Sequence, residues 1–199
     1  MTPKNKTYKT YDIIRYKNSG IRKKKQDFVA EEPLLITIEN IPYLTLMRTP
    51  GNETELAAGL SLSDGIIKSP KDISAIDYLY KNRIFLKLTD NNKKEILKRL
   101  EKKRFGNQAD QEISSKNRID NLIKNINIEG HKFNITPQQI NITLEKFLNR
   151  QKYYAKTRGT HAVMFFDSNL DIISEGEDVG RHNAMDKAIG SLLLKDKTE

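Results

Sequence analysis

The alternation of apolar and polar positions marks the first ordered part of this chain. EEPLLITIEN, Glu31–Asn40, reads as a strand, Asn40-Ile41-Pro42 as a turn, and YLTLMR, Tyr43–Arg48, as a second strand. TPGN, Thr49–Asn52, is turn-like, and a helix is predicted from about Glu53 to near Gly65. DISAIDYLY and RIFLKLT predict two more strands, joined around Lys81-Asn82-Arg83. NNKKEILKRLEKKRF then predicts a basic helix with Ile96, Leu97 and Leu100 on one face. GNQADQEISSKNR, residues 106–118, reads as a polar loop and NRIDNLIKNI as a short helix. Pro137 suits the first turn of a helix running through QQINITLEKFLNRQKYY. HAVMFF and LDIIS predict strands around an Asp167-Ser168-Asn169 turn, followed by a polar, glycine-bearing loop and a helix from about Asn183 to Leu194. Both ends therefore read strand, turn, strand, glycine loop, helix, and the interleaving predicts an α/β fold.

Charge changes this picture at one end. The net charge is +9, but residues 1–25 hold nine Lys/Arg and one acid, so the rest of the chain is nearly neutral. The excess reads as a solvated, poorly ordered basic arm rather than a basic body. No apolar run reaches membrane-spanning length and no signal-peptide pattern opens the chain, which gives the expectation of a cytoplasmic protein without membrane contact. With no cysteine among the 199 residues, disulfides, thiolate catalysis and cysteine-ligated metal are excluded within them.

Polar chemistry concentrates in EDVGRHNAMDKAIG, Glu177–Gly190. Ala184, Met185, Ala188, Ile189, Leu192 and Leu193 recur at helical spacing and predict its buried face. The preceding residues then sit at a helix N-terminus, where free N–H groups and the macrodipole favour anions. Gly180 permits close backbone approach, Arg181 offers a planar fork for phosphate, and His182 can donate or accept. Asp186 lies four residues past His182 and Lys187 four past Asn183, so each pair shares a helix face and a carboxylate could orient the histidine or arginine. Glu177 or Asp178 is a candidate acceptor for a guanine-like base. A bland reading is that Asp178 or Asn183 caps the helix and the charges pair on a wet surface. A cap needs one such residue and this stretch has at least six, so a binding site for a nucleotide-like anion is preferred. His161 followed by Ala162 and Val163, with no cysteine, lacks the His-x-Glu and Cys-x-x-Cys pieces of a zinc nucleobase deaminase, so no zinc is expected. His131 reads as structural or surface.

These blocks resemble the FdhD/NarQ family of formate dehydrogenase accessory proteins. EEPL (Glu31–Leu34), MRTPG (Met47–Gly51), ELAAG (Glu55–Gly59), SDGII (Ser63–Ile67), TRGTHA (Thr157–Ala162) and EDVGRHNAMDKAIG are similar to its motifs, in order. The resemblance implies a small N-terminal α/β subdomain, residues 26–90 after the arm 1–25, and a cytidine-deaminase-like three-layer domain, residues 91–199. It implies a homodimer that passes sulfur from a cysteine desulfurase to the molybdenum bis(molybdopterin guanine dinucleotide) cofactor of formate dehydrogenase or a related molybdo- or tungsto-oxidoreductase. GDP would be a partial mimic of that ligand. By position, Arg48, Thr49 and Gly51, and Thr157, Gly159 and His161, would line the pocket with Glu177, Asp178, Gly180, Arg181, His182, Asn183, Asp186 and Lys187. The family's Cys-x-x-Cys loop should fall near residues 106–118, which hold no cysteine. Members also continue past the diagnostic helix, which implies a sheet edge here needing cover by a second copy, another polypeptide or the helix Pro137–Asn149. Three readings follow. The first is a cofactor carrier without sulfur transfer, and the second a sulfurtransferase that borrows its cysteines from a partner. The third, ranked last because the body is nearly neutral and no aromatic platform is evident, is a nucleic-acid module using the arm and the helix near 92–105.

Overall fold

The computed structural model describes residues 7–17, 20–79, 82–91, 93–105 and 134–195. The predicted loop 106–118, the NRIDNLIKNI helix and His131 lie outside them. The basic arm is not a loose tail: β1 (Tyr8–Lys17) and β2 (Gly20–Val29) form an antiparallel ribbon, registered from Tyr8 opposite Val29 to Lys17 opposite Gly20. Tyr, Thr and Ile at six of the ten β1 positions carry strong strand preference, and the density of lysine hides that alternation from a charge count.

Strand β3 (Glu32–Ile38) turns through Glu39 and Asn40, both at positive φ, into β4 (Ile41–Arg48). Such a left-handed pair matches the twist of a two-residue hairpin turn. With β5 (Ile73–Leu79) and β6 (Arg83–Leu88) they make a four-stranded sheet ordered β4-β3-β6-β5, in which only β3–β6 is parallel. Leu34, Ile36 and Ile38 alternate to one face with Ile84, Leu86 and Leu88, all fully or almost fully buried. Against that face pack Leu56 and Ala57 of α1 (Glu53–Ser63), and Ile96 and Leu100 of α2 (Lys93–Phe105). Each such Leu or Ile contributes about 1.5–3 kcal/mol.

The C-terminal part opens with α3 (Pro137–Arg150), whose start is a capping box: Gln139 N–H donates to Thr136 Oγ1 at 3.2 Å and Thr136 N–H to Gln139 Oε1 at 2.8 Å. The predicted single helix through Tyr154 breaks at Gln151, whose ψ is 86°, and restarts as α4 (Lys152–Thr157). β7 (His161–Phe166) and β8 (Ile172–Asp178) pair antiparallel, and α5 (Arg181–Lys195) follows. The second strand runs on past Ser174, so Glu177 and Asp178 lie on a strand end rather than in the predicted loop.

Helices α1 and α5 join the two parts. A Cβ on Gly59 would stand 1.8 Å from Asp186 O, and one on Gly190 1.8 Å from Glu55 O. Only glycine at both positions lets the backbones cross so closely. On its other side α5 meets the β7–β8 sheet, where a Cβ on Gly176 would come within 2.1 Å of Ala184 O. Covered from two sides, α5 buries Ala184, Asp186, Lys187, Ala188, Gly190 and Leu193. The expected buried face is corrected at Met185, which is exposed.

Candidate functional site

Two loops meet where α5 begins. Asp178, fully buried at the end of β8, accepts from Thr49 N–H (3.0 Å) and Lys187 Nζ (2.7 Å) through Oδ2. Its Oδ1 accepts from Gly180 N–H (2.9 Å) and Asn183 Nδ2 (3.0 Å). Lys187 Nζ also donates to Thr49 O (2.8 Å) and Glu177 O (3.3 Å). Burial pulls the Lys187 ammonium below its ordinary pKa, and the charge of Asp178 opposes that pull. Val179 N–H donates to Thr49 Oγ1 (3.0 Å), and Asn183 Nδ2 to Met47 O (2.8 Å). The segment Met47–Gly51 is thereby sewn to Asp178–Gly180. Gly51, at φ +111°, turns the chain into α1 in a conformation L side chains rarely take.

This geometry corrects the expected exposure of the motif's charges. Asp186 does not orient His182 or Arg181: it is 6% exposed and accepts from Ser63 Oγ at 2.7 Å. Glu177 is likewise engaged inside the fold. Its carboxylate accepts from Tyr153 N–H (3.1 Å), Tyr154 N–H (2.5 Å) and Thr160 Oγ1 (2.7 Å), so it caps α4 and fixes the helix break. His161 is exposed and stands across the ladder from Asp178. Thr157 Oγ1 donates to Tyr153 O and accepts from Gly159 N–H, closing the loop that leads to it.

Arg48 is also interior. Fully buried, it meets Glu53 at 3.0 Å, Glu32 at 3.7 Å and Asn82 Oδ1 at 2.9 Å. Asn82 in turn donates to Glu32 Oε2 (3.1 Å) and accepts from Tyr78 OH (3.0 Å). Burial first, then the Glu53 charge, raises the Tyr78 phenol pKa. Among the described residues, Arg48 Nε is buried without a hydrogen-bond partner. The network ties the end of β4 to the start of α1. Glu32 and Asn82 belong to it, and the sequence signals it by nothing more than a lone arginine at the end of a strand.

What remains open to solvent is the first turn of α5. Arg181 and His182 are exposed, and their side chains make no hydrogen bond or ion pair among the described residues. As the first residues of the helix, Arg181, His182 and Asn183 lack intrahelical acceptors for their N–H groups. A cation, an imidazole and a helix N-terminus at one exposed point can hold a phosphate or another compact anion. Among the described residues no three His, Asp or Glu side chains converge as a metal site would require.

A model of the FdhD/NarQ family matches residues 29–199. The chain is 35% identical over 178 residues to the sulfur carrier protein FdhD of Sulfolobus acidocaldarius, a match spanning 88% of this chain and 66% of that one. It is 32% identical over 193 residues to the Saccharolobus solfataricus protein of the same description, spanning 95% and 71%. It thus covers about two thirds of the length of these curated relatives. The crystal structure of a chain described as a formate dehydrogenase accessory protein, from Desulfotalea psychrophila, superposes with a TM-score of 0.70. That match has 18% identity and covers 96% of this chain and 68% of that one.

Proposed function

The chain belongs to the FdhD/NarQ family, and from that premise we propose that it serves the maturation of formate dehydrogenase, or of a related molybdo- or tungsto-oxidoreductase. In this reading it holds the molybdenum bis(molybdopterin guanine dinucleotide) cofactor. The observation that carries the proposal is the exposed pair Arg181–His182 at the open N-terminus of α5, without a side-chain partner among the described residues. Those groups fit the diphosphate of a guanine dinucleotide. Asp178 does not fit the role of base acceptor, because it is fully buried and each of its carboxylate oxygens already accepts two hydrogen bonds within the chain.

The bound cofactor would supply the molybdenum centre that receives sulfur. This chain's part is to bind its phosphates and orient it. The 199 residues contain no cysteine, so no persulfide forms on them. Sulfur therefore travels on a thiol outside these residues, for which a cysteine desulfurase has the right chemistry. A homodimer belongs to the same proposal. Its support is the stripe Ile140, Leu144 and Leu148 on α3, each 50–58% exposed at i, i+4, i+8 spacing.

Calorimetric titration with GDP tests the reading. GDP binds, and the double variant Arg181→Ala, His182→Ala weakens it by roughly tenfold or more, since a hydrogen bond to a charged group contributes about 1.5–3 kcal/mol. Equal affinity in the double variant overturns it.

A further inference from the structure

The β1–β2 ribbon sorts its charges by face. Residues directly opposite share a face, so Lys9, Tyr11, Ile13 and Arg15 stand with Phe28, Gln26, Lys24 and Arg22. Tyr11 and Phe28 meet edge to face with centroids 5.8 Å apart, and Lys24 Nζ donates to Gln26 Oε1 at 2.6 Å, as this grouping requires. Neither acid of the two strands lies here: Asp12 and Asp27 are on the other face, where Asp27 accepts from Thr10 Oγ1 at 2.6 Å. The Tyr8–Val29 end of that other face touches the body, while Ile14, Tyr16 and Ile21 farther along it are 54%, 72% and 66% exposed. Tyr8 lies under Lys156 Nζ, 4.6 Å from the ring centroid, and Val29 abuts Gly159. The cationic face is open to solvent, with Lys9, Arg15, Arg22 and Lys24 exposed and Tyr11 and Phe28 at 53% and 45%. All of it precedes residue 29, where the family match begins.

We infer that this face of the ribbon binds single-stranded nucleic acid, with Lys9, Arg15, Arg22 and Lys24 on the phosphates and Tyr11 and Phe28 against the bases. Four cations without a carboxylate complement a polyanion. Exposed aromatic rings among them favour a strand whose bases are free to stack. A duplex hides the π-faces of its bases, and an acidic peptide offers the rings nothing to stack on. This supplies the aromatic platform that the sequence alone did not reveal.

The test is fluorescence anisotropy of the full chain with a labelled oligothymidylate dodecamer across a salt series. Poly-glutamate and a duplex of the same length serve as competitors. The triple variant Arg15→Ser, Arg22→Ser, Lys24→Ser binds at least tenfold more weakly, and its log–log salt slope flattens by about 2, near 0.7 for each phosphate no longer neutralised. A control triple that removes the same charge elsewhere, Lys71→Ser, Lys94→Ser, Lys98→Ser, changes affinity less than threefold. Tyr11→Ala with Phe28→Ala also weakens binding, whereas Tyr11→Phe with Phe28→Tyr retains it, which separates stacking from ribbon stability. Equal weakening in the control triple overturns the inference. So does competition by poly-glutamate or duplex equal to that of unlabelled single strand, which reassigns the face to an acidic protein or to duplex binding.

Discussion

Arg181 and Lys187 sit six residues apart on α5, in the same motif, and meet opposite surroundings. Arg181 reaches solvent with no partner among the described residues. Lys187 is 2% exposed and donates to a carboxylate and two carbonyls. Residue type alone would assign both to an anionic ligand. Position on the helix separates them: the first turn projects past the α1–α5 crossing, and the second is enclosed between α1 and β8. Much of this polar motif is therefore the joint between two packed parts of the chain, and the ligand-facing portion is narrow.

The sharpest way to break the comparison is to remove the buried side. Asp178→Ala leaves the Lys187 ammonium without its carboxylate and orphans the Thr49 and Gly180 N–H groups, so it should destabilise by about 3–5 kcal/mol in urea unfolding. Adding Lys187→Met should recover part of that stability, because the uncompensated charge is then gone. A double variant as unstable as the sum of both single changes would mean that the pair does not act as a unit. Next in size is Gly190→Ala, whose methyl group would lie 1.8 Å from Glu55 O. The helices must part to admit it, at about 1–3 kcal/mol or more. Stability within about 0.5 kcal/mol of the parent chain, the scatter of surface substitutions, would show that the crossing is loose.

The sequence made one half of this arrangement legible and concealed the other. β3 to β6 and α2 are readable because their apolar positions follow a single period and their turns carry Asn or Gly. The first turn of α5 is readable because a helix N-terminus is a local feature. The burial of Lys187 is not, since it depends on coverage by α1, whose matching glycine lies 131 positions before Gly190. Arg48 escapes for the same reason: its partners Glu32 and Asn82 come from separate segments. The basic ribbon is hidden because a local charge count is blind to which face each lysine takes. Its cross-strand order, with both acids on one side, appears only once β1 and β2 are paired.

The exposed side gives the converse prediction. Arg181→Ala should leave stability within about 0.5 kcal/mol of the parent, as for other solvated positions, while GDP affinity falls. A drop of about 2 kcal/mol in the same urea experiment, beyond what surface positions show, would place Arg181 in the joint with Lys187 and erase the distinction.

The smallest effect concerns a charge of intermediate standing. Glu39, in the β3–β4 turn, accepts from Leu88 N–H at 2.6 Å and pairs with Lys93 at 2.7 Å. Burial by itself would raise its pKa, but the bonds from Lys93 and Leu88 outweigh it and hold the carboxyl below its ordinary value. A carboxyl depressed on folding contributes stability that is present above its unfolded pKa and is lost as pH falls through the folded one. Glu39→Gln should therefore lower Tm by less than about 3 °C at pH 7, since the pair is partly solvated. The gap to the parent should begin to narrow as pH falls through the ordinary glutamate value, about 4.3, and close as it falls through the lower folded one. A gap that stays constant from about pH 7 to about 3.5, across the ordinary carboxyl range, would show that the side chain acts through its shape and its bond to Leu88 rather than through charge. That outcome would align Glu39 with the uncharged parts of the turn.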